Sequence, residues 1–86
     1  MFYSDCLNVN ERGHLTIGGC DTVQLAEMFG TPLYVMDETA IRRALRAYKA
    51  SIDENYENGG MVTYASKACC FKELYRIVGQ EGCGAD

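Results

Sequence analysis

The sequence predicts an α/β fold built from parallel strands and the helices that join them. Two observations carry that expectation. The run "PLYVMD" at 32–37 is apolar without alternation, as a strand covered on both faces is, such strands belong to parallel sheets, and "MVTYAS" at 61–66 is a second apolar strand. Each run is followed by a stretch of helical periodicity, so that from residue 33 the order is β-α-β-α and then the start of another β.

The elements follow in chain order. "HLTIGG" predicts a short strand, Leu15 and Ile17 alternating with Thr16, stopped by Gly18 and Gly19. "CDTVQLAEMFGTP" predicts a complete short helix. Asp21 serves as N-cap with Gln24 three residues on, Val23, Leu25, Ala26 and Phe29 give the apolar positions, and Gly30 then Pro32 end it. Asp37 caps a long helix over 38–56, in which Ile41, Leu45, Tyr48 and Ile52 form one apolar stripe. Its outer face carries the i,i+4 pairs Glu38–Arg42 and Lys49–Asp53, and the group Arg42, Arg43, Arg46 reads as solvated surface. "ENGG" is a turn. A second helix, "FKELYRIVGQEG", puts Phe71, Leu74, Tyr75 and Val78 on one side and stops at Gly82, after which "CGAD" opens a further strand. The two strands 33–37 and 61–66 are expected to pair in parallel, joined by a right-handed crossover through the long helix.

Bulk properties narrow the function. Eighty-six residues make one small domain with a thin core. A net charge of -4 leaves no basic patch, so nucleic acid is not an expected partner. No apolar run reaches the length of about 18 residues that a membrane span needs. The start, "MFYSDCLNVNERG", lacks the pattern of a signal peptide, and a cytoplasmic location is expected. Five cysteines are an odd number, without a C-x-x-C pair, and His14 has no cysteine at metal-site spacing. Reduced thiols and no metal are expected. His14 reads as a surface residue, and Cys69 and Cys70 as small packing residues. The paired glycines do not make a G-x-G-x-x-G fingerprint and read as turns.

One residue does not fit a purely structural reading. Lys67 follows the apolar run 61–66 at its end and precedes a helix. In α/β folds the chemistry gathers at the carboxyl ends of parallel strands. A lysine at that rim, once desolvated, can lose its proton and attack a carbonyl carbon. Position alone is weak evidence, since a lysine at such a rim is more often solvated or salt-bridged.

The wording around it is more specific. "GTPLYVMDE", then "YASKA" some thirty residues later, then "RIVGQEGCGAD", resemble the N-terminal part of the diaminopimelate decarboxylase family, of the alanine-racemase-like class of pyridoxal-phosphate enzymes. The resemblance runs from His14 to Asp86. It implies that Lys67 holds pyridoxal phosphate as a Schiff base, and that Asp86 lies near the released lysine amine. It implies that 1–20 is an N-terminal segment whose short strand joins the family's C-terminal β domain. Residues 21–86 are then the first β/α units of a (β/α)8 barrel. The implied reaction is decarboxylation of meso-diaminopimelate to L-lysine and carbon dioxide, by a homodimer acting on a small amino acid.

A barrel of this kind needs roughly 250 residues, so the chain is expected to be a fragment of one, inactive alone. The family's ring-nitrogen carboxylate, glycine-rich phosphate loop and substrate-binding motifs are not in these 86 residues. Two alternatives stay open at this point. One is an ornithine, arginine or carboxynorspermidine decarboxylase of the same class; the other is a small α/β interaction module without a cofactor.

Overall fold

A pair of glycines organises the first part of the chain. The computed structural model describes residues 4–86, which divide after Thr39 into two units. In the first, β1 (Leu7–Val9), β2 (Leu15–Ile17) and β3 (Cys20–Asp21) form an antiparallel sheet in that order. Between β2 and β3 the turn is Gly18-Gly19, at φ 58° and 83°. Two consecutive positive φ values are what a two-residue hairpin turn of the primed type demands, and glycine meets them without strain. Gly18 has a second reason to be glycine: a Cβ there would lie 2.6 Å from Asp37 Oδ2. The strand predicted at 15–17 is present, and β1 is an addition to the prediction.

The short helix α1 (Thr22–Phe29) begins as expected, at Asp21. The Asp21 carboxylate accepts from the Val23 and Gln24 backbone N–H groups at 2.8 and 3.2 Å. Gly30, at φ 81°, ends it and donates its N–H to the Ala26 carbonyl. The same Asp21 ties the helix to the sheet. Its Oδ2 is 2.8 Å from both Asn10 Nδ2 and His14 Nδ1. His14 is therefore not the bare surface residue expected from sequence; it is half-buried and paired. A lone histidine gives no periodic signal, so the pairing was invisible before folding.

Residues 33–37 depart from the prediction. They form no strand, and Tyr34 is 95% exposed. The expected parallel pair with 61–66 is accordingly not formed. An apolar run becomes a strand only when neighbours hydrogen-bond to its edges, and the described residues supply none to this one.

In the second unit, α2 (Glu38–Asn55) runs almost to the predicted end. It is followed by β4 (Thr63–Tyr64), one turn of 3-10 helix (Ser66–Ala68), α3 (Lys72–Gln80) and β5 (Gly84–Ala85). Strands β4 and β5 pair in parallel, Thr63 opposite Gly84 and Tyr64 opposite Ala85. A parallel pair requires a crossover, and α3 is that crossover. The β-α-β order expected from 61 onward is thus present, whereas the strand expected at 33–37 is not. Among the described residues no helix is long and apolar enough to cross a membrane.

The core of this unit is small. Leu45 of α2 meets Leu74, Ile77 and Val78 of α3, and Ile41, Tyr64, Cys69 and Cys83 pack against them. The predicted stripes were half right. Tyr48 is 68% exposed and Phe71 and Tyr75 lie at the rim, whereas Ile77 is buried. Residues 74, 77 and 78 share one helix face by the i, i+3, i+4 rule.

The arginines of α2 also differ from expectation. Arg46 reaches Glu81 through Nε at 2.8 and 3.0 Å and through Nη2 at 2.6 Å. Arg42 Nη2 donates to Gln80 at 2.7 Å. The hydrogen bonds from Arg46 hold the Glu81 carboxyl below its ordinary range, and Glu81 in turn raises Arg46. These cations sit where α3 ends, the negative pole of its dipole. A charge run looks solvated in sequence because its partner is some 35 residues away.

Two outcomes are expected from this architecture. Ile77→Ala should cost about 2–5 kcal/mol in urea unfolding, by lost burial and a cavity. Tyr48→Ala should stay within about 0.5 kcal/mol, since the ring is mostly in water. A further outcome concerns pH. Hydrogen bonds, first from His14 and then from Asn10 and the helix N–H groups, lower the Asp21 carboxyl from 3.8 to about 2. A lowered folded-state value means that the charged form stabilises the fold. Its contribution is complete above 3.8 and lost as pH falls through about 2. The Val23 and Gln24 amide resonances should titrate with a midpoint of about 2, and in Asp21→Asn that transition should vanish.

Candidate functional site

Lys67 sits where the sequence placed it, one turn beyond the carboxyl end of a parallel strand. Strand β4 ends at Tyr64, Ala65 keeps an extended backbone, and Ser66–Ala68 make a single tight turn closed by Ala68 N–H to the Ala65 carbonyl at 3.1 Å. Cys69 is extended again and leads into α3. A short 3-10 turn thus connects strand to helix, and Lys67 at its centre is exposed.

Asp86 is brought to the same place by the backbone. The ladder of β4 and β5 continues past both strands: Asp86 N–H donates to the Tyr64 carbonyl at 2.8 Å, and Ser66 N–H to the Asp86 carbonyl at 3.0 Å. The residue before Lys67 is therefore hydrogen-bonded to Asp86. Both side chains are exposed, and among the described residues neither has a hydrogen-bond or ion-pair partner. The lysine is not desolvated by these residues, contrary to the sequence expectation for a reactive amine. Burial of a rim lysine takes walls on several sides, and β4 and β5 are only one.

Small residues flank Lys67 in the chain and make up the adjoining strand. Ala65, Ala68 and Ala85 are exposed and Gly84 is half-buried, so the end of the sheet presents little bulk. The other two lysines are placed differently. Lys49 directs Nζ toward the Glu81 carbonyl at 3.5 Å, and Lys72 is the first residue of α3. Of the adjacent cysteines, Cys69 packs against the core as expected, but Cys70 is exposed. All five thiols are free.

Sequence reasoning missed Tyr64. Its hydroxyl donates to the Cys69 carbonyl at 2.6 Å, across the turn that carries Lys67, while its ring packs on the core. The only signal was its place in "YASKA", inside an apolar run where a buried phenol needs a partner.

Fold and site together define an α/β protein with an accessible lysine at the carboxyl end of a parallel strand. Comparison with known proteins makes the class particular. No family model matches the chain. It is 44% identical over 78 residues to diaminopimelate decarboxylase from Synechocystis, covering 91% of this chain. It is 42% identical over its full length to that from Bacillus methanolicus. The crystal structure of diaminopimelate decarboxylase from M. jannaschii, in complex with L-lysine, aligns with the whole chain at a TM-score of 0.82 and 34% identity. The sequence is thus diaminopimelate-decarboxylase-like from end to end. The chain spans about a fifth of the length of these relatives, 17% and 20% of the first two.

Proposed function

We propose that this chain carries the cofactor-linking lysine of a pyridoxal-phosphate-dependent decarboxylase, one that converts meso-diaminopimelate to L-lysine and carbon dioxide. The observation that carries this is Lys67, an accessible and unpartnered amine at a parallel strand's carboxyl end, in a chain more than 40% identical to relatives of that name. Residues 21–86 are read as the first β/α units of a (β/α)8 barrel. Residues 1–20 are read as an N-terminal segment with a strand of the second, β-rich domain. The homodimer belongs to the same proposal.

The residues present suit the aldehyde end of the cofactor. Lys67 offers an exposed primary amine, Ala65, Ala68, Gly84 and Ala85 put little side-chain bulk on the neighbouring backbone, and Asp86 brings a carboxylate to the same end of the sheet. Bound there, the cofactor supplies an electron sink for the pair left on Cα when carbon dioxide departs. The protein's share falls to two groups. Lys67 Nζ holds the cofactor between turnovers and, once released, carries a proton to or from the substrate carbon. Asp86, whose backbone is hydrogen-bonded to Tyr64 and Ser66, supplies a carboxylate at the same end of the sheet.

Borohydride reduction of the full-length holoenzyme that carries this sequence, followed by peptide mapping, tests the assignment. Label is expected on the peptide containing Lys67 in preference to Lys49 and Lys72, and Lys67→Ala should remove it. Equal labelling of the three lysines, or preference for another, would overturn the assignment. These 86 residues by themselves should release no carbon dioxide from meso-diaminopimelate beyond what free cofactor gives. Fixing the ring and phosphate takes groups that the family places elsewhere, and an unfixed electron sink gains nothing from the protein. Measurable excess release would contradict this.

A further inference from the structure

We infer that Tyr64 is a positioning residue for Lys67, a clamp that fixes both ends of the turn carrying the amine; this rests on the reading of Lys67 as the cofactor-linking lysine. Three contacts of one residue make the case. The Tyr64 carbonyl accepts from Asp86 N–H at 2.8 Å, holding the start of the turn to β5. The ring packs against the cluster of Leu45, Leu74, Ile77 and Val78, anchoring it to α2 and α3. The hydroxyl donates to the Cys69 carbonyl at 2.6 Å, holding the end of the turn.

Between these anchor points lie residues 65–68, where Ser66 N–H is held by the Asp86 carbonyl at 3.0 Å and the Ala68–Ala65 bond closes the turn internally. A long flexible side chain at the tip of a loose loop would place its amine over a wide volume. Fixing the Cα on both sides narrows that volume at no cost in contacts to the amine itself. Tyrosine suits the task because its body is apolar and its tip is not. Phenylalanine would keep the packing and lose only the hold on Cys69.

Tyr64→Phe separates the clamp from the core. Loss of one hydrogen bond is worth roughly two- to tenfold in a local equilibrium. In the variant, amide exchange at Ala68 should quicken by about that factor, with the α3 amides of Ile77 and Val78 unchanged. The ratio of reduced pyridoxyl label on Lys67 to that on Lys72, measured within the same molecules, should fall by a similar factor. Ile77→Val, which weakens the core without touching the turn, should leave that ratio as it is. If wild-type label favours Lys67 and Tyr64→Phe changes neither the ratio nor Ala68 exchange, the clamp is overturned while the assignment of Lys67 stands. If the wild type shows no preference for Lys67, the assignment itself fails and takes this inference with it.

Discussion

The parallel ladder from Val62 to Ser66 and from Gly84 to Asp86 is the constraint on which the second unit depends. Parallel strands cannot be joined by a tight turn, so the chain between them must leave the sheet, cross one face and return. That path is α3, and its buried face must lie against whatever covers the sheet. Leu74, Ile77 and Val78 meet Leu45 for this reason. Gly84 answers a local demand of the same ladder, since a Cβ would press to 3.3 Å from Met61 Sδ. The loop leaving β4 inherits its position from the ladder, and with it Lys67.

In the first unit a single carboxylate has the equivalent place. Asp21 ends β3, caps α1 and accepts from Asn10 and His14. Asn10 in turn accepts from the backbone of Arg12 and His14, shaping the turn between β1 and β2. A hairpin of three-residue strands has too little burial to hold by itself. Here the acceptor side of one aspartate links turn, sheet and helix, so polar bonds do what a core would do in a larger domain.

The chemistry proposed for Lys67 is compatible with how little surrounds it in these residues. Position at a strand end supplies direction, and the small neighbours supply space. The properties that make an amine reactive at neutral pH, desolvation and fixed neighbouring charges, come from walls around it. The exposed apolar side chains at 33–36 and Met61 show the same condition from the structural side. They are sequences suited to burial on both faces, displayed without the neighbours that burial needs.

What the sequence determined by itself is local in physical origin. The cap at Asp21, the stop at Gly30, the length of α2, the onset of α3 and the place of Lys67 after a strand all follow from bonds or sterics within a few residues. The motif around Lys67 was equally legible, because it is a string of adjacent residues. Tertiary structure alone decided the rest. It chose 84–86 and not 33–37 as the parallel partner of β4, since strand pairing is set by which edges meet and not by the strand's own composition. It turned Arg42 and Arg46 from surface charges into partners of the end of α3, paired His14 with Asp21, and set the Tyr64 hydroxyl on the Cys69 carbonyl. Each of these joins groups by proximity in space, and no periodicity along the chain encodes a distance across it.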